Sequence, residues 1–92
     1  MTNSKFNLYL LTQDVNSDYD TYDSAVVAAK TEEEARMIHP AEFENPDRGN
    51  WLGIEEENWG SWCNAENVTV LLIGTANKSI KKGVVISSFN AG

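Results

Sequence analysis

Four stretches of the chain have the length and apolar content of β-strands. Residues 6–12 alternate, with Phe6, Leu8 and Leu10 on one side and Asn7, Tyr9 and Leu11 on the other. Residues 21–29 (TYDSAVVAA) are apolar on both sides at Ala25 to Ala28, which predicts cover on both faces there. Residues 68–73 (VTVLLI) and 84–89 (VVISSF) are rich in β-branched and apolar side chains. Between these last two, residues 74–83 are polar, bracketed by Gly74 and Gly83, and carry Lys78, Lys81 and Lys82. That pattern predicts a β-hairpin with a long basic tip, at the centre or in one half of a small sheet. The first two strands are expected to form a second hairpin through residues 13–20, rich in Asp, Asn and Ser, whose length leaves the register open.

Between the two strand pairs the pattern changes. Thr31 followed by Glu32, Glu33 and Glu34 is a capping box, with three acids placed to complement a helix dipole. Ala35 and Ile38 share one helical face, and Pro40 ends the helix at or before His39. Residues 40–67 show no sustained period and are broken by Pro46, Gly49, Gly53 and Gly60. They nevertheless hold Phe43, Trp51, Leu52, Ile54, Trp59 and Trp62, too much apolar mass to remain in water. The segment reads as a packed lid over one face or edge of the sheet, with a helical turn near residues 54–59. The predicted fold is therefore α+β: a small, mainly antiparallel four-stranded sheet in the order β-β-α-β-β, with one short helix and a long tryptophan-containing lid. The expected core is Phe6, Leu8, Leu10, Val26, Ala28, Ala35, Ile38, Val70, Leu72, Val84 and Ile86, with at least one tryptophan. The long connection before the third strand suits a parallel crossover or an antiparallel return equally.

Composition narrows the function classes. Ninety-two residues suit a single domain, 1–92, able to bury between roughly 60% and 70% of its unfolded surface. No apolar run approaches a membrane span, and the polar start of the chain has no signal-peptide pattern. Cys63 is the sole cysteine, which fits a reducing cytoplasm. A formal charge of −7 argues against direct nucleic-acid binding and against anionic membrane surfaces. The acidity has two readings: it keeps a small protein soluble, or it presents an acidic surface to a basic groove on a partner.

Candidate chemistry is sparse. Asp14, Asn16, Asp18 and Asp20 place oxygen ligands at alternate positions, as a calcium loop does. Tyr19, however, stands where that loop needs glycine, and Ala25 where it needs a bidentate glutamate. Cys63 and His39 are the only thiol and imidazole, with no nucleophile signature around Gly60 to Asn64. They are too few for structural zinc, and no phosphate-binding glycine loop is present. No catalytic residue, cofactor or metal is expected. The candidate partner-binding residues are the acidic turn Asp14, Asp18 and Asp20, the cluster Glu55, Glu56 and Glu57, and Trp59.

Three phrases add a resemblance. Residues 21–29 (TYDSAVVAA), 35–40 (ARMIHP) and 83–92 (GVVISSFNAG) resemble small proteins encoded by bacteriophages and prophages, and Val68 to Gly74 and Trp62 fit the same pattern. That group has no assigned activity, so the resemblance transfers no functional residue. It implies a bacterial host cytoplasm and an accessory role. The expectation is a small acidic, non-enzymatic interaction module acting on a host or phage protein. The alternative is a small ligand-binding domain or enzyme using Cys63 and His39 beneath the lid. A weak homodimer, favoured by salt, is expected if residues 84–89 form an uncharged sheet edge.

Overall fold

The structure is a computed structural model and describes residues 5–15, 20–43, 51–54 and 61–90. The four strand-like stretches become β1 (Asn7–Thr12), β2 (Thr21–Ala29), β3 (Thr69–Thr75) and β4 (Gly83–Asn90). One short helix, α1 (Glu32–Arg36), follows β2, with 3₁₀ turns at Pro40–Phe43 and Ala65–Asn67 before β3. The fold is α+β: one antiparallel sheet in the spatial order β3-β1-β2-β4 and a single short helix.

The β1–β2 hairpin is central, pairing Asn7 with Ala29 through to Thr12 with Ser24. The expected hairpin of the last two strands does not form. β3 pairs with β1 and β4 with β2, so they lie on opposite edges. The link between them, residues 76–82, instead crosses the end of the sheet where β1 begins. There the Ala76 N–H donates to the Phe6 carbonyl at 2.8 Å, and Asn77 turns the chain by accepting from the Ser79 N–H at 2.9 Å. The physical reason is reach. Seven residues extend to about 23 Å, whereas two intervening strands separate the edges by only about 14 Å. A link of this length therefore does not oblige its strands to be neighbours.

β2 and β3 are both antiparallel to β1 and hence parallel to each other, so the connection from 30 to 68 is a crossover that lays α1 on one face. Helix α1 starts as its sequence dictates. The Thr31 hydroxyl accepts from the Glu34 N–H at 3.1 Å, while a Glu34 carboxylate oxygen reaches back to the N–H of Lys30, one residue beyond the cap. The helix ends before His39, as expected, at Arg36 with Met37 as its C-cap; Ile38 and His39 follow as an irregular buried strip, and buried Pro40 opens the 3₁₀ turn. Arg36 stays useful at the end: its Nη1 donates to the carbonyls of Ala65 (3.0 Å) and Val68, tying the helix to the chain just before β3.

The covered face differs from the one expected. The core contains Tyr9 and Leu11 from β1 and Ala25, Val27 and Ala29 from β2. Ala35, Ile38, Trp62, Cys63 and Val68 close over them. Phe6, Leu8, Leu10 and Val26 lie on the opposite side and are only half-buried; Ile86, there too, is 64% exposed. The double cover expected at Ala25 to Ala28 thus fails at Val26. Leu72, also expected in the core, is 55% exposed at the β3 edge, while Val70 and Val84 pack half-buried against the core. Ala28, Ala35 and Ile38 are buried, and Trp62 supplies the buried tryptophan. The inversion has a topological cause. A crossover of one hand can lay its helix on one face only, so strand order decides which side is covered, even when the other side is more apolar.

Two glycines are fixed by geometry. Gly53 has φ +87°, and a Cβ there would sit 3.2 Å from the Cβ of Ala65 and from the Met37 thioether; its carbonyl accepts from the Ala65 N–H at 2.8 Å. Gly83 opens β4 at φ +129°.

Candidate protein-interaction surface

Only two of the sequence-predicted binding residues, Asp14 and Asp20, fall among the described residues. Asp14 and Asp20 are exposed on the two sides of the β1–β2 turn, Asp20 with φ 62°. Asp18, Glu55, Glu56, Glu57 and Trp59 lie outside the described residues, as do most of the helical turn expected near 54–59 and the centre of the calcium-like loop. Among the described residues, no three His, Cys, Asp or Glu side chains group to hold a metal ion.

His39 and Cys63 are both inside the covered core. His39 is fully buried; its Nδ1 accepts from the Ala41 N–H at 3.0 Å, and its ring meets Trp51 edge-on at 5.1 Å. Trp51 is held in turn by its Nε1, which donates to the Ile54 carbonyl at 2.9 Å. Cys63 is buried beside Trp62 in the same core. Neither side chain is presented at the surface of the described residues. Of the lysines expected on a hairpin tip, Lys78 and Lys81 are exposed along the end-crossing link. Lys82 lies 3.8 Å from the Glu34 carboxylate, a surface pairing of little energetic weight.

The surface that the fold does assemble is the open side of the sheet. Strand registers align its residues in three rows across all four strands. The first is Thr69, Thr12, Ser24 and Ser88; the second is Leu71, Leu10, Val26 and Ile86; the third is Gly74, Leu8, Ala28 and Gly83, of which Ala28 and Gly83 are buried, so the open surface is chiefly the first two rows. The first row is entirely hydroxyl and the second entirely branched aliphatic. No position in the three rows is charged, although the chain carries −7. Asp23 is the one charged residue in the four strands, and it falls where the β2–β4 register shifts.

The second row is high at its ends and low in its middle. Leu71 and Ile86 are 56% and 64% exposed, whereas Leu10 and Val26 are half-buried. Leu10, Ser24, Val26, Ile86 and Ser88 line a depression of about 150 Å³. That is the size of cavity able to take a benzene ring. Past the register shift at Asp23, Tyr22 belongs to the buried core, and Phe89 packs on it with ring centroids 4.8 Å apart. Tyr22 is fixed at both ends of its peptide unit: its N–H donates to the Ser61 carbonyl (2.7 Å) and its carbonyl accepts from the Gln13 side chain (3.0 Å).

This surface went unseen in the sequence because its more apolar half was assigned to the core. One signal was present: three strands of four carry no charge on either face, so whichever face the crossover left open would be uncharged. Comparison with known proteins finds no matching family model, no similar curated protein and no similar solved structure. No helix among the described residues is long and apolar enough to cross a membrane.

Proposed function

We propose that this chain is a small acidic, non-enzymatic interaction module that meets another protein through the open face of its sheet. The observation that carries this reading is the row Leu71, Leu10, Val26 and Ile86, aliphatic and uncharged on a chain of charge −7, with its two ends more than half exposed. The largest apolar patch on a monomer is often the one it uses. An accessory role in a bacterial host cytoplasm, acting alongside host or phage proteins, belongs to the same reading and rests on the phage-like phrases of the sequence. So does the lid. Of that segment, Trp62 lies in the covered core and Trp51 packs against it, which supports the opposite face as the working side.

A photo-reactive side chain placed at Ile86 tests this directly, with Glu32 on α1 as the comparison position. Irradiation in a bacterial cell is expected to join position 86, and not position 32, to a protein. If position 86 forms no protein adduct of any kind, the open face is not a binding surface.

A further inference from the structure

We propose that the occupant of the open face is an amphipathic α-helix of another protein, lying along the strands with acidic residues at one end and basic residues at the other. The proposal rests on the reading of the open face as an interaction surface and names the chemistry of its partner.

Shape is the first support. The open face is a trough whose walls are the two edge strands. In the aliphatic row, Leu71 on β3 and Ile86 on β4 stand more than half exposed, with half-buried Leu10 and Val26 between them. The walls are about 14 Å apart, three strand spacings, and a helix with its side chains is about 10–12 Å across. Three turns of helix, about 16 Å, lie within the roughly 20 Å length of β1. In the floor, the depression of about 150 Å³ between Leu10, Val26 and Ile86 takes one large apolar side chain of the helix, with Ser24 and Ser88 beside it. Docking of an apolar helical stripe in a groove is a recurring mode of recognition. A flat surface does not fit as well, because it meets the raised edges first and leaves the floor empty. A second copy does worse, since it sets raised edge on raised edge.

Charge is the second support. The trough itself is uncharged, but its ends differ in sign. All five lysines of the chain lie at one end of the sheet. Lys5 precedes β1, Lys30 follows β2, and Lys78, Lys81 and Lys82 lie on the link from β3 to β4. Buried Ala28, Ala76 and Gly83 mark where the open surface stops at that end. Of these lysines only Lys82 has an ion pair among the described residues, with Glu34. The carboxylates of the same end belong to other elements: Glu32, Glu33 and Glu34 are on α1, on the covered side, and Glu42 lies against Gly83. The opposite end carries Asp14 after β1, Asp20 and Asp23 at the start of β2, and Glu66 before β3. Arg36, near that end on the covered side, is engaged with the carbonyls of Ala65 and Val68. A helix that is acidic throughout meets like charge at the aspartates, and one that is basic throughout meets it at the lysines. A helix with acids toward the lysines and bases toward the aspartates meets neither.

The test presents the purified chain with two displayed peptide libraries of about 14 residues, long enough for the trough. One has apolar positions at helical spacing; the other alternates with the period of a strand. Enrichment is expected from the helical library alone, of sequences with Asp or Glu at one end and Lys or Arg at the other. A selected peptide should bind Ile86→Lys about tenfold more weakly or worse, with circular dichroism showing that variant folded. Leu52→Lys, exposed on the covered side, should leave binding unchanged. Lys78→Glu combined with Lys81→Glu should weaken binding about two- to five-fold, and replacing the peptide's acidic end by lysine should restore it. Enrichment from the alternating library, from neither library, or of peptides that bind Ile86→Lys as well as the unaltered chain overturns the proposal. So does dimerisation of the purified chain that Ile86→Lys abolishes, which would make a second copy the occupant. Where the proposal falls, a protein adduct from the photo-reactive side chain at Ile86 leaves the broader interaction reading standing; without that adduct both fall.

Discussion

Replacing Gly53 by alanine tests whether the segment around Trp51 is docked as the structure shows. Two costs add at this position. The backbone sits at φ +87°, where an L-residue is strained by about 1–2 kcal/mol. The new methyl would lie 3.2 Å from the Ala65 Cβ and from the end of Met37. Met37 is partly exposed and its thioether can swing aside. Ala65 cannot, because its N–H is bonded to the Gly53 carbonyl and its own carbonyl to Arg36. A few tenths of an ångström of forced backbone shift brings the total to about 1.5–3 kcal/mol, within the usual range for strain at a special backbone position. For a domain of this size that lowers Tm by roughly 6–20 °C. Gly74→Ala is the matched control: nothing lies within 4 Å of the added methyl, and relief of glycine's entropy within a strand is worth about 0.5–1 kcal/mol in the stabilising direction. Thermal and urea unfolding of both variants in dilute solution should therefore move in opposite directions. If Gly53→Ala unfolds within about 0.5 kcal/mol of the unaltered chain, the docking of 51–54 on Ala65 is wrong.

Other substitutions probe separate contacts. Thr31→Ala removes the hydroxyl that caps Glu34 and should cost about 1 kcal/mol by urea titration, with Thr31→Ser restoring most of it. Arg36→Met keeps the bulk but strands the carbonyls of Ala65 and Val68; a loss of about 2–4 kcal/mol is expected, against no measurable loss for Lys82→Met, whose pairing with Glu34 is at the surface. Iodoacetamide should leave Cys63 unmodified in the folded chain and label it fully in urea; rapid labelling of the native protein would contradict its burial beside Trp62.

What could be read from the letters was local. The four strand stretches and the Thr31 cap are set by side-chain period and by hydrogen bonds within a few residues, and both are present in the structure. Partners were not legible in the same way. Residues 68–73 and 84–89 look like two arms of a hairpin because nothing in a seven-residue link says whether it turns back or crosses two strands. The face of β1 was misassigned for a related reason. Phe6, Leu8 and Leu10 outweigh Tyr9 and Leu11 in apolar mass, yet the path of the 30–68 crossover, a property of the whole chain, chose the lighter side. Once that side was covered by Ala35, Ile38 and Trp62, the heavier one became the surface. The acidic groups at Asp14 and Asp20 are exposed as expected, but exposure alone gives them no shared geometry.

The placing of β3 and β4 outside a central hairpin also dictates how the molecule can come together. Each edge strand finds its neighbour about sixty residues away along the chain, Leu71 against Leu10 and Ile86 against Val26. A lone β1–β2 hairpin is at best marginal in water, and long-range closure of this kind is slow, commonly milliseconds to seconds. During synthesis the outer flank of β2 therefore waits, its ladder groups unpaired, until β4 has been made. A nascent chain stalled before Gly83 would expose that flank to any extended segment nearby, and a short peptide copying β4 would be expected to occupy it.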